Sequence, residues 1–273
     1  QRVGSDEYSL TPPHERALAD AWGWQGADGA LPFAAHQAAA DGIAVHEHAW
    51  GLLTPVHWHV GREHVSLVDP AELALSAAES HELLDAVRSL FESEGWTLAH
   101  GADAHWYGAH DTLDGLPCAA IDRVIGRNVD LWLPHHPQAR LVRRLQNEVQ
   151  MLLYTHPIND VREARGVLPV NSFWLSGCGR YQAANAAAPL QVDASLRSAM
   201  LNGDWAAWAD AWRALDAGAL ADALARAQRG EPVTLTLCGE RHAQRFESLP
   251  QPMWQRLTRG WRGAPAHAVL EAL

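Results

Sequence analysis

The chain contains no lysine: all 21 of its basic residues are arginine. That absence removes a Schiff-base lysine, a lysine general base and the lysine of a Walker-type phosphate loop. Any clamp on an anion has to come from Arg, His or backbone amides. Cysteine is nearly as scarce. Cys118, Cys178 and Cys238 are odd in number, stand 60 residues apart and form no C-x-x-C pair. They read as reduced thiols of a cytoplasmic protein, with Gln1 in first place leaving a preceding segment open. Long apolar runs are missing too. The longest are interrupted by His, Arg or Asp and fall well short of the roughly 20 residues that a bilayer-spanning helix needs, so no membrane segment is expected. Positive charge is the minority sign, 21 basic against 32 acidic residues for a net charge of -11. Such a field repels a phosphodiester backbone and argues against a nucleic-acid partner.

What is present suits a packed core. Hydrophobic residues make up 48% of the 273 and charged residues 19%, an ordinary balance for a folded chain. The reading is a single α/β domain over 1–273, a mixed sheet flanked by helices with an α-helical C-terminal part, its helical appendage at about 193–230. Residues 13–22 and 31–40 read as short helices. From Val45 to Asp69 the pattern turns to β-type runs broken by Gly and Pro, expected to form an antiparallel meander. Ser76 with Glu79 makes a capping box, and Leu83, Leu84, Val87, Leu90 and Phe91 then recur at helical spacing as far as Gly95. A second amphipathic helix runs from Gln138 to His156 and is ended by Pro157. PVNSFWLSGCG reads as a buried strand entering a glycine-rich turn, the kind of strand end where open α/β sheets place ligands. Trp205, Trp208 and Trp212 share one helical face, a stripe that usually packs in a core. PVTLTLCGE is a final strand.

Histidine carries the strongest chemical signal, with 16 residues. His46-x-His48 and His57-x-His59 are H-x-H pairs, and residues two apart in a strand share a face. A hairpin turning near Leu52-Leu53 would set His46 opposite His59 and His48 opposite His57, giving four imidazoles for a divalent metal such as zinc. The plainer alternative is a set of half-exposed histidines on a sheet face. A second group, His100, Asp103, His105, His110 and Asp111, has residue types found in hydrolytic metal sites. Ser176-Gly177-Cys178-Gly179 with Arg180 could offer amides and a guanidinium to a small anionic molecule, or simply be a tight turn. Glu148 sits in a polar run of an otherwise apolar helix, where pairing with Arg144 is favoured over acid–base chemistry.

The stretch RRLQNEVQMLLYTHPINDVREARGVLPVNSFWLSGCG (143–179) resembles a bacterial family labelled as phosphoglycerate mutases, which includes the RpfE-type regulatory protein. AAADGIAVHEHAWGLLTPVHWHVG (38–61) and DRVIGR (122–127) are similar to it as well, so the resemblance covers most of residues 30–180. It implies an alkaline-phosphatase-like, phosphoglycerate-mutase-like α/β fold in which Asn171, Trp174, Gly177 and Gly179 match the Asn, the Trp and the glycine-rich turn of the cofactor-independent enzymes. Those mutases use two metal ions held by Asp and His clusters and a Ser or Thr nucleophile, a set that this chain does not display. The expected function is therefore regulation or small-ligand binding without true mutase activity, with Asn171, Ser176, Gly177, Gly179 and Arg180 as ligand residues. The alternative is a metal-dependent phosphatase or mutase-like enzyme with His ligands. A third reading, a protein-interaction module, rests on the 13 tryptophans.

Overall fold

The computed structural model describes residues 2–4, 8–45, 47–185, 190–248 and 271. In chain order they form strand β1 (Arg2–Gly4), helices α1 (Pro13–Trp22) and α2 (Phe33–Ala40), and strands β2 (Ala49–Val56), β3 (Trp58–Val60) and β4 (Val65–Leu67). Helix α3 (Ala77–Glu92), strands β5 (Thr97–His100) and β6 (Trp106–Ala109), helices α4 (Ala139–Tyr154) and α5 (Pro157–Ala164) and strand β7 (Ser172–Arg180) follow. Helices α6 (Ser195–Leu201), α7 (Trp205–Leu215) and α8 (Ala221–Gln228) precede strands β8 (Thr234–Cys238) and β9 (His242–Glu247), with one π-helical stretch, Asp216–Leu220, joining α7 to α8.

The chain divides into two compact units: residues 9–11 with 19–186, and residues 1–8 with 12–18 and 187–273. The larger unit holds a four-stranded sheet in the order β5-β6-β2-β7, with β3 and β4 forming a hairpin of their own. The smaller unit carries the sheet β1-β9-β8 and the helices α6 to α8, which the sequence reading gathers into its appendage.

The fold is α/β, with sheets flanked by helices. The sheet is not mixed, however: every pair of named strands is antiparallel. The expected meander is also corrected. Residues 49–56 form one continuous strand between β6 and β7, so no hairpin turns at Leu52-Leu53. Burial explains the continuity. Ala49, Trp50, Gly51, Leu53, Pro55 and Val56 are all buried, the pattern of a strand covered on both faces.

Alternation along the strands sorts side chains between two layers. Leu53, Trp106, Phe173 and Leu175 join the core under α3 and α4, packing with Leu83, Val87, Phe91, Leu145 and Val149. Trp50, Tyr107 and Ala109 face the other way, onto Ala34, Ala35 and Ala38 of α2. Small residues on α2 let its backbone approach the sheet. Trp205, Trp208 and Trp212 do not fill a core as expected. No residue of α7 is fully buried, and the three rings pack edge-to-face on one another at 6.2 and 5.9 Å.

Helix α3 begins as its sequence dictates. The Ser76 hydroxyl accepts from the Glu79 N–H, and the Glu79 carboxylate accepts from the Ser76 N–H at 3.0 Å. That carboxylate has a second duty. Arg162 of α5 is fully buried and lies 3.1 Å from Glu79 Oε1, while its other donors reach the carbonyls of Leu168 and Leu73. Arg165 adds a second guanidinium at 2.9 Å. Burial works against ionisation of Glu79, but the two Ser76 hydrogen bonds and the charges of Arg162 and Arg165 outweigh it and hold the carboxyl at about 2. A carboxyl depressed in the folded state stabilises the fold above its unfolded pKa and loses that contribution as pH falls through the folded value. Replacing Glu79 with Gln leaves Arg162 buried without its counter-charge and should cost about 3 kcal/mol near neutral pH. Denaturant unfolding of both proteins should show that difference narrowing as pH is lowered from about 4.5 toward 2. A difference independent of pH would assign the loss to packing instead of charge.

Candidate functional site

The five residues proposed as one ligand site are not gathered in one place. Asn171 and Arg180 bracket β7, nine steps of extended chain apart, or roughly 30 Å. The Asn171 side chain is spent on the backbone of Trp58, accepting from its N–H at 2.8 Å and donating to its carbonyl at 3.0 Å, and so stitches β3 to the entry of β7. Ser176 is buried within the strand, opposite Leu52.

The glycine-rich segment is not a turn. Trp50 pairs with Gly179 and Leu52 with Ser176, so β7 carries one residue more than β2 across that step, a β-bulge. Gly177 takes the left-handed conformation at φ +64, as one common bulge type requires. A Cβ there would lie 2.9 Å from the Ala34 N and 3.2 Å from the Phe33 Cβ. At Gly179 (φ +150) a Cβ would lie 3.2 Å from the Pro32 Cβ. These glycines seat the start of α2 on the sheet.

The histidines proposed as a metal site are also separated. His46 lies outside the described residues. His48 precedes β2 and His57 follows it, so the continuous strand holds them roughly 30 Å apart and they do not converge. His57 Nδ1 is 2.9 Å from the Pro169 carbonyl, which can only accept, so Nδ1 carries the proton and Nε2 keeps its lone pair. His59 is exposed on β3. Among the described residues, no group of three or more His, Cys, Asp or Glu is placed to hold a metal ion.

The second histidine group splits between the two ends of the sheet. At one end the fully buried Ser80 hydroxyl accepts from Trp106 Nε1 and lies 2.9 Å from His100 Nε2. The His81 ring stacks on His100 at 3.6 Å. Burial, then the neighbouring His81, lowers the pKa of His100. Asp41, at the end of α2, accepts from the Tyr107 hydroxyl at 2.7 Å and lies 3.7 Å from His105. Ser80 is sealed from solvent, while His100, His105 and Asp41 are partly exposed and His81 is exposed.

At the other end the structure brings together residues that the sequence had scattered. His48, Thr97, Ala109, His110 and Asp111 line an open cleft of about 120 Å³, floored by Gly95. His110 stacks on Trp96 with ring centroids 5.2 Å apart. Its Nδ1 accepts from the Thr112 N–H at 3.1 Å, so the neutral ring carries its proton on Nε2, 3.9 Å from where a Cβ on Gly95 would stand. Arg180 closes this strand end. Its Nε donates to Asp114 at 2.7 Å, its Nη1 to the Glu47 carbonyl at 3.0 Å, and Nη2 lies 3.7 Å from Asp111. The Asp114 hydrogen bond and the two carboxylate charges push the guanidinium up, so it remains charged. The arrangement offers fixed donors, His110 Nε2–H and Arg180, beside carboxylates that can exchange partners.

The sequence reading picked out His48, His110, Asp111 and Arg180 separately and missed Thr97 and Asp114. Only strand pairing links them: Trp50 and Thr97 both lie opposite Ala109, and Ala49 lies opposite Arg180. Glu148 keeps its expected role beside Arg144, at 3.8 Å. Its neighbours Gln146 and Gln150 turn instead to β7, Gln146 donating to the Phe173 carbonyl at 3.2 Å.

No family model and no curated protein matches the chain. Among solved structures, it is similar to the cofactor-independent phosphoglycerate mutase of Thermoplasma acidophilum DSM 1728, with a TM-score of 0.41 and 17% sequence identity. The similarity takes in 63% of this chain and 48% of the mutase, so it spans about half the length of that protein. Among the described residues, no helix is long and apolar enough to cross a membrane.

Gly177→Ala tests the bulge. The left-handed φ and the contact with Ala34 together should destabilise the protein by about 2–4 kcal/mol, read as a lower denaturation midpoint at unchanged slope. A loss below about 0.5 kcal/mol, the range of an ordinary surface substitution, would show that α2 does not depend on this glycine.

Proposed function

We propose that this chain is a small-ligand-binding protein with a regulatory role, built on a phosphoglycerate-mutase-like scaffold of the RpfE type and lacking mutase activity. The ligand is a small anion, taken up at the strand-end cleft. The observation that carries this reading is that His48, His110 and Asp111, from separate segments, line one open cleft at a sheet end, with Arg180 3.7 Å from Asp111. An acceptor-bearing group entering there would take the Nε2–H of His110 and compete with Asp111 and Asp114 for Arg180. Charge-assisted bonds of that kind are the strong ones, and the planar guanidinium suits a phosphate or carboxylate. Asn171, Ser176, Gly177 and Gly179 support the site by shaping β7.

Isothermal titration of the full chain with inorganic phosphate and with 3-phosphoglycerate tests this. At least one should bind, and His110→Ala and Arg180→Ala should each weaken it by about tenfold or more. No binding of either, or binding unchanged in both variants, overturns the proposal.

A metal-dependent phosphatase is the second reading, favoured by the ring of His57, whose Nδ1–H bond to a carbonyl is the support commonly given to a metal-ligating imidazole. It predicts near-stoichiometric metal in tag-free protein, lost in the His57→Ala, His59→Ala double variant. Metal-free, folded protein would exclude it.

A further inference from the structure

Cys118 and Cys178 are 60 residues apart in sequence, with nothing in their spacing to pair them, yet their sulfurs lie 3.6 Å apart. Both are buried and belong to the core that also holds Phe173 and Leu175. Cys178 lies on β7, directly after the bulge residue Gly177. Cys118 ends the loop that leaves β6 through His110, Asp111 and Asp114, and its N–H is anchored to the Gly29 carbonyl at 2.9 Å. Cys238 belongs to the other unit and is exposed.

We propose that Cys118 and Cys178 are a redox pair that hydrogen peroxide converts to an intrachain disulfide, locking the 110–118 loop to β7. Bringing the sulfurs from 3.6 Å to a bond of about 2.05 Å needs a side-chain rotation and a small loop shift. In the first step one thiol attacks the O–O bond of the peroxide, becoming a sulfenic acid and releasing water. The second sulfur then attacks the sulfenic sulfur, forming the S–S bond and expelling a second water. Two thiols lose two electrons and two protons, and the peroxide is reduced to two waters. Burial, then the neighbouring Cys118, pushes the Cys178 thiol well up, so thiolate is scarce and the reaction is slow. The same burial shields the product from reductants.

The lock acts on the loop bearing the candidate cleft, because Asp111 and Asp114 of that loop hold Arg180 of β7. The pairing itself stands independently of any ligand.

The full-length, reduced protein is treated with hydrogen peroxide, its remaining thiols are alkylated, and it is digested without reductant and mapped by mass spectrometry. The expected product is a Cys118–Cys178 cross-link with the loss of two hydrogens per chain. In a Cys238→Ser background, which removes the exposed thiol, the oxidised form should melt higher by roughly 5 °C, since the cross-link closes a long loop. Because removing a buried thiol can unfold the chain, the wild-type map carries the decision. Cross-links through Cys238, sulfinic acid at Cys118 or Cys178, or two unreacted buried thiols after Cys238 has been oxidised would each overturn the proposal.

Discussion

The larger unit is organised around one buried guanidinium. Arg162 cannot shed its charge, so its burial is tolerable only with a counter-charge and acceptors close by. Glu79 supplies the charge from the first turn of α3, and the carbonyls of Leu73 and Leu168 supply the acceptors from the segments entering α3 and β7. Two stretches far apart in sequence, residues 73–79 and 162–168, are thereby held in fixed relation. The carboxylate that closes the first turn of α3 is the one that Arg162 requires, so the capping box and the buried ion pair share one group.

Local chemistry was legible in the sequence, and pairing was not. The start of α3 followed from Ser76 and Glu79, which act within one turn. The apolar stripe of α4 followed from Leu145, Val149 and Leu153. Strand β2 was misread because Pro55 looks like punctuation in a single chain and Gly51 weakens the run before it. In the sheet, Gly51 faces the Leu175 side chain, where a Cβ would come within 2.5 Å. Pro55, which has no N–H to give, stands opposite Phe173, whose carbonyl accepts from the Gln146 side chain. Both exceptions are settled by partners more than 90 residues away, which no local pattern encodes.

The candidate site was legible as residue types but not as a place. His48, His110, Asp111 and Arg180 each drew notice for the chemistry they could perform, but they were assigned to three different groups. The H-x-H pairs suggested convergence because alternation puts both members of a pair on one face. Alternation says nothing about whether the chain turns between the pairs, and eight residues of continuous strand keep them apart. Asp114 gave no signal of its own, since its role exists only once Arg180 is brought beside it.

The bulge at Gly177 sets the side-chain parity that this strand end needs. Phe173 and Leu175 point into the core under α3 and α4, and strict alternation would send Gly177 and Gly179 the same way, with Cys178 toward the opposite layer. One extra residue inverts the order. Cys178 then joins the same core as Phe173 and meets Cys118, while Arg180 comes level with Ala49 and reaches Asp114. Both contacts are made to one loop, residues 110–118, so a single backbone irregularity sets the position of that loop against the sheet. Glycine is needed there twice over, for the left-handed φ of the bulge and for the close seat of α2 on the opposite side. The motif that reads in the sequence as a ligand-binding turn decides which side chains of β7 face the loop.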